Sequence, residues 1–226
     1  MTEAHRHFHD DLSQVKIRLL TMSGEAEAAL GLAVEALLER DGRKAQAVVS
    51  GDRVIDRMEV ELEEMCINLL ALQQPMARDL RMLTSALKIA NDLERVGDHA
   101  VNIAQSALTL ADSPHIMSMM NIPTMAERTR AMLRDSLDAF LYLDPEKARA
   151  VCKQDDQIDD MNRSNARDVI GLIGAKTLPV EEALDLIRVS RNLERVADLA
   201  TNIAEEVVFL TQARNIKHHA EEHRPR

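Results

Sequence analysis

The sequence predicts an all-α fold: two tandem repeated three-helix bundles, six long helices in all, related by a pseudo-twofold. Three observations carry the prediction. The composition is helix-forming and strand-poor, with one Tyr, three Phe and no Trp among 226 residues, and Ala, Leu, Glu and Arg abundant. Apolar residues recur at three- and four-residue steps over long stretches. The segment Asn91-Asp92-Leu93-Glu94-Arg95-Val96-Gly97-Asp98-His99-Ala100-Val101-Asn102-Ile103-Ala104 returns one hundred residues later as Arg191-Asn192-Leu193-Glu194-Arg195-Val196-Ala197-Asp198-Leu199-Ala200-Thr201-Asn202-Ile203-Ala204.

The first helix covers about 3–40, with Phe8, Leu12, Val15, Leu19, Met22, Ala26, Ala29, Ala33 and Ala36 as its apolar seam. It stops near Asp41-Gly42. The second covers about 43–72 on Val48, Ile55, Met58, Leu62, Met65 and Leu69, and Pro75 marks a tight reversal into a third helix at about 76–111. Ser113-Pro114, a Met-rich run and Pro123 then break the periodicity, so 113–123 reads as a linker between a first bundle at 1–112 and a second at 124–226. Thr124-x-x-Glu127 has the form of a capping box, and helices are expected at about 124–142, 146–173 and 180–213.

The duplication extends beyond the opening stretch. Leu38-x-x-Asp41-x-x-Lys44-Ala45-x-Ala47-Val48 recurs as Leu141-x-x-Asp144-x-x-Lys147-Ala148-x-Ala150-Val151, and Asp52-x-x-Ile55-Asp56-x-Met58 as Asp155-x-x-Ile158-Asp159-x-Met161. The offset of that second pair is 103, against 100 in the third helix. A shorter turn between the second and third helices of the second half is expected to absorb the difference.

The formal net charge is -10, and the acidic residues are spread along the chain, which argues against nucleic acid and favours cations as small partners. No apolar run approaches the roughly 20 residues that cross a bilayer, and the polar start lacks a signal-peptide core, so a cytoplasmic location is expected. Cys66 and Cys152 lack a Cys-x-x-Cys partner and are expected to be small buried apolar residues. His5, His7 and His9 near one end, and His218, His219 and His223 near the other, read as solvated ends, with adventitious binding of soft metals as the alternative.

Glu-x-x-x-Asp-x-x-x-Asn sets three oxygen-bearing side chains on one helical stripe. With Pro75 as the pivot of an antiparallel hairpin, Asp52 comes level with Asp98 and Asp56 with Glu94. In the second half a pivot between Lys176 and Thr177 sets Asp155 level with Asp198 and Asp159 with Glu194. Helical angles place these carboxylates at the rim of each bundle seam, beside the core. Four carboxylates at one level repel one another unless a cation sits among them. Their all-oxygen chemistry suits hard cations, Fe³⁺, Mn²⁺ or Mg²⁺, with Zn²⁺ a further candidate, and Asn102 and Asn202 extend each ligand row by one turn. The competing reading is a solvated acidic face balanced by Arg95 and Arg195. Small residues at Gly97 and Ala197 leave room for a neighbouring helix or ion. The helices carry no Glu-x-x-His, as a di-iron oxidase requires, and no phosphate-cradling Gly-rich loop is present.

Leu93-Glu94-Arg95-Val96-Gly97-Asp98-His99-Ala100-x-Asn102-Ile103-Ala104, doubled in two bundles of this length, resembles the signature of the PhoU family of phosphate-uptake regulators. The doubled Asp-x-x-Ile-Asp, Arg40-Asp41 and Asn121-Ile122-Pro123 extend the likeness over almost the whole chain. The resemblance implies a cytoplasmic, non-enzymatic adaptor that negatively regulates the phosphate-specific ABC transporter and the phosphate-starvation two-component response. Its implied partners are the transporter's ATPase subunit and a sensor histidine kinase, with homodimers common in the family. It also implies metal clusters held by Asp52, Asp56, Glu94, Asp98 and Asn102 in one half, and by Asp155, Asp159, Glu194, Asp198 and Asn202 in the other. His99 against Leu199, and Gly97 against Ala197, make unequal sites an expectation. A metal-dependent hydrolase or oxidase built on the acidic clusters is the alternative function.

Overall fold

The computed structural model describes residues 3–111 and 121–216, with side chains from His7 onward. Among these residues the chain is helical and without strands: α1 (Glu3–Glu39), α2 (Gly42–Gly51), α3 (Arg53–Gln73), α4 (Ala77–Leu110), α5 (Ile122–Tyr142), α6 (Pro145–Cys152), α7 (Asp155–Gly174) and α8 (Val180–Gln212). The middle rod of each half is interrupted, which the periodicity does not reveal. At Asp52 the chain stays right-handed (φ -47, ψ -47), and Ile55 N–H donates to the Asp52 carbonyl across three residues. At Lys153 and Gln154 ψ flattens to -10 and -14, and Gln154 N–H donates to Val151. Short i→i+3 bonds of this kind tighten a helix for one turn without a proline.

The duplicated sequence builds duplicated caps and ion pairs. Asp41 accepts from Arg43 N–H at the start of α2, and Asp144 accepts from the Glu146 and Lys147 amides at the start of α6, meeting donors that a helix cannot satisfy itself. Lys44 bridges Glu35 and Glu39 at 2.9 Å. Its counterpart Lys147 bridges Asp135 at 3.0 Å and Asp138 at 2.8 Å.

Three boundary expectations are corrected. α5 begins at Ile122, not Thr124, because Pro123 falls in the first turn, where its missing N–H costs nothing. Thr124 and Glu127 therefore form no capping box, and Asn121 holds the cap position without a side-chain bond. Ile122 and Pro123 thus leave the expected linker for α5, while Ser113 to Met120 lie outside the described residues, as do His218, His219 and His223. The turn of the second hairpin is longer, not shorter: 175–179 against 74–76. Past α7 the chain turns left-handed at Lys176 (φ 58) and Pro179 delays α8, so the missing residues come from the helices.

α4 and α8 form the centre, each packed on the helices of its own half and, more extensively than any other pair, on each other. Both carry abundant small residues on buried faces (Ala86, Ala90, Ala100, Ala104, Ala107; Ala183, Ala197, Ala200, Ala204), which allow close approach. Leu93, Val96 and Ile103, with Leu193, Val196 and Ile203, are fully buried, each contributing about 1.5–3 kcal/mol. A truncation such as Leu93→Ala would cost about 2–5 kcal/mol. The helices run antiparallel, and polar pairs fix their register: Ser85 to Glu206 at 3.1 Å, His99 to Asn192 at 2.8 Å and Ser106 to Asp185 at 3.2 Å. The first and last exchange under the pseudo-twofold, Ser85 matching Asp185 and Ser106 matching Glu206.

Cys66 is buried as expected, whereas Cys152 is half-buried, beside the charge of Glu205. Burial pushes both thiols up to about 11, which leaves them protonated at neutral pH. Among the described residues no helix is long and apolar enough to cross a membrane.

Candidate functional site

Each hairpin lays a carboxylate pair of its middle rod against a pair on its central helix. In the first half Asp52 stands at the junction of α2 and α3, Asp56 one turn later, and Glu94 and Asp98 on α4. The Asp52 carboxyl is raised by burial and then by the charges of Asp56 and Asp98. Glu94 is raised by burial, then by Asp98, Asp56, Glu59 and Asp52. The four act on one another as a single acidic stripe, and Asp52, Asp56 and Glu94 are each half-buried while Asp98 is exposed.

In the second half burial, then Asp198 and Asp159, push Asp155 up to about 6, while the Thr201 hydroxyl, donating at 3.4 Å, pulls the other way. Asp159, Glu194 and Asp198 each bring one oxygen within 4.8 Å of the others, the one such group of three among the described residues. The halves differ in how this charge is met. Arg195 donates to Asp198 at 3.0 Å and lies 3.6 Å from Glu194, and Arg163 lies 3.5 Å from Asp159. Arg95, its counterpart in the first half, instead lies 3.7 Å from Asp92. Among the described residues no ion pair reaches Asp52, Asp56, Glu94 or Asp98. Balance by arginine thus describes the second stripe and not the first.

Asn102 and Asn202 sit one turn beyond Asp98 and Asp198, half-buried, and neither hydrogen-bonds to these carboxylates. Thr201, their neighbour on the stripe, was not singled out by the sequence; its position three residues after Asp198 was the available signal. Glu59 was also missed. It joins the first stripe at i+3 from Asp56, raised by burial and by Glu63 and Asp56, but its counterpart is Asn162, so it lies outside the doubled pattern. The space beside Gly97 is filled by helix packing: a Cβ there would lie 3.0 Å from Ile55 Cδ1. His99 turns to the seam between the halves, bonded to Asn192 with its pKa lowered by burial.

The donors are oxygens only, clustered, partly desolvated and mutually repelling. That donor set fits a hard cation better than a proton relay or a covalent nucleophile.

Fold and site together define a duplicated helical-bundle protein with one acidic stripe per repeat. The chain belongs to the PhoU family, the PhoU domain matching residues 19–107 and again 122–207. A phosphate-specific transport system accessory protein PhoU homolog of Clostridium acetobutylicum is 33% identical over 210 residues, covering 92% of this chain and 96% of the relative. Another of the same description, from Aquifex aeolicus, is 36% identical, covering 92% and 94%. The crystal structure of PhoU from Pseudomonas aeruginosa matches with a TM-score of 0.87 at 33% identity, over 92% of this chain and all of that one. The phosphate transport system regulatory protein PhoU from Streptococcus pneumoniae gives 0.86 at 28% identity, over 93% and 99%.

Proposed function

We propose that the protein is a cytoplasmic, non-enzymatic adaptor of phosphate homeostasis that restrains a phosphate-specific ABC transporter and the phosphate-starvation two-component response. The observation that carries this reading is the match of both halves, along nearly full length, to relatives named as accessory or regulatory proteins of phosphate transport. The ATPase subunit of the transporter and the sensor kinase are its protein partners in this reading, and a homodimer its assembly.

Each stripe would hold a hard cation, Fe³⁺, Mn²⁺ or Mg²⁺ ahead of Zn²⁺, through Asp52, Asp56, Glu94 and Asp98 in the first half and Asp155, Asp159, Glu194 and Asp198 in the second, with Asn102 and Asn202 completing each row. Bound there, the cation would supply charge compensation. Partial desolvation of uncompensated carboxylates in the first half supports this assignment most directly.

The adaptor reading is tested by co-purification from phosphate-replete cells: the transporter ATPase or the kinase should accompany the untagged protein, and recovery of neither would overturn it. Elemental analysis of wild type and Glu94→Ala/Asp98→Ala tests the metal separately, with equal metal in both counting against the first stripe. A metal-dependent hydrolase or oxidase is the second reading, favoured only by the three-oxygen cluster Asp159, Glu194 and Asp198; turnover of a phosphoester or of oxygen by the metal-loaded protein would establish it.

A further inference from the structure

The seam between the halves opens at one end of the molecule into a half-enclosed cavity of about 180 Å³, far from either acidic stripe. Its walls are apolar: Leu12 from α1, Met82 from α4, Phe140 from α5 and Leu210 from α8. Two cations, Lys16 and Arg78, stand at its mouth with a single acid, Asp79. Neither cation has a carboxylate partner among the described residues. On a chain of net charge -10, this mouth has locally inverted charge.

Three features set the cavity apart from the packing seam around it. Leu12 and Lys16 lie before residue 19, outside both family-domain matches. Leu143, on the rim, holds a left-handed conformation (φ 52) that disfavours bulky side chains, where the first half has the exposed Arg40 (φ 58). Tyr142, the only tyrosine of the chain, stands beside it 74% exposed, with Leu141 and Ile17 also exposed. An exposed aromatic beside an apolar hole is the usual composition of an interface centre.

A volume of about 180 Å³ is close to the roughly 150 Å³ cavity that accepts one benzene ring, and below the roughly 300 Å³ at which drug-sized ligand pockets begin. The hole therefore suits one bulky side chain. We propose that it is a docking site for an amphipathic helix of another protein, which inserts one aromatic or branched apolar side chain while its flanking carboxylates meet Lys16 and Arg78. A second copy is the competing occupant: the acidic, apolar segment Val180 to Asp185, with Leu184 exposed, could reach the cavity in an antiparallel two-fold pair, where the contact forms twice and closes, and sedimentation separates that case from a partner helix.

The proposal extends the adaptor reading by locating a partner surface, and the two fail separately: loss of co-purification sinks the adaptor without altering the cavity's preference, and the peptide result below leaves co-purification untouched. Labelled 18-residue helical peptides carrying one central Phe flanked by Glu at i-4, i-3 and i+4 are titrated against the full chain by fluorescence anisotropy. The Phe/Glu peptide should bind, and about tenfold more weakly when its Phe is Ala or when the protein carries Lys16→Glu/Arg78→Glu, substitutions at exposed positions whose folding is checked by thermal melting. A Phe/Lys peptide should bind that double variant in preference to wild type. Indifference to Phe or to the flanking charge would overturn the proposal. So would sedimentation showing self-association of the protein that is lost in the double variant without any peptide binding to wild type.

Discussion

The Ser85 hydroxyl of α4 donates to the Glu206 carboxylate of α8 at 3.1 Å, and the same carboxylate, 2% exposed, lies 3.0 Å from Lys88 Nζ. Lys88 also stands over the Phe209 ring, 5.4 Å from its centroid. A buried charge tied to its cation is costly to leave behind when that cation is removed. Lys88→Met is expected to destabilise the protein by about 1–2 kcal/mol, less than for a fully buried pair because the lysine is half exposed. Lys88→Met/Glu206→Leu should recover part of that loss. Denaturant unfolding of the two singles and the double variant checks it, and strict additivity would show that the pair is not coupled.

The carboxyl of Asp155 sets the expected pH dependence of the metal-free protein. Its folded pKa, about 6, lies above the ordinary aspartate value of about 3.9, so the folded state holds the extra proton. The associated stability is full below the unfolded pKa and is lost as pH rises through about 6. Asp155→Asn, measured against wild type in chelator at pH 5 and pH 7, should raise Tm by about 2–4 °C more at pH 7 than at pH 5, a difference equivalent to about 1 kcal/mol, because pH 5 already lies above the unfolded pKa and part of the cost is present there. His99, whose pKa is lowered, has the opposite sign and cancels in this comparison. A gain of equal size at both pH values would contradict the assignment.

Arg195 pairs with Asp198 and Glu194, so a cation taken up by the second stripe would have to displace it. In protein already carrying Glu94→Ala/Asp98→Ala, replacing Arg195 with Met should tighten Mn²⁺ binding by about tenfold, on the order of 1.4 kcal/mol. Calorimetric titration distinguishes that from an arginine that merely decorates the stripe, which would leave the affinity unchanged.

Asp144 accepts from two backbone amides where Asp41 accepts from one. Asp144→Ala should cost about 1 kcal/mol, and Asp144→Asn should restore most of it. Thermal melting of the three proteins is sufficient, and equal melting temperatures would show that the cap contributes nothing to global stability.

The rods and the facing of carboxylates were legible because both follow from period and register. Helical spacing gave the seams, and one pivot per hairpin placed Asp52 with Asp98 and Asp159 with Glu194. What depended on three-dimensional choice among equivalent local options was not legible. Gly51-Asp52 and Lys153-Gln154 carry no proline, so nothing marked the interruptions of the middle rods. Pro123 punctuates a chain equally well before a helix or in its first turn. Asp185 and Glu206 look like solvated charges in a one-dimensional pattern, and only the antiparallel packing of α4 on α8 buries them. Arg95 and Arg195 occupy identical sequence settings, yet one turns to Asp92 and the other to its own stripe.

The central pairing of α4 with α8 also bears on how the chain is made. α4 is complete at Leu110, while α8 does not begin until Val180. At about 5–20 residues per second, several seconds of synthesis separate the two. Throughout that interval the face of α4 that will meet α8 lacks its final cover, although α1, α2 and α3 can already pack on the other side. The nascent first bundle is therefore the stage most open to a chaperone or to a neighbouring nascent chain, and arrival of α8 ends that exposure.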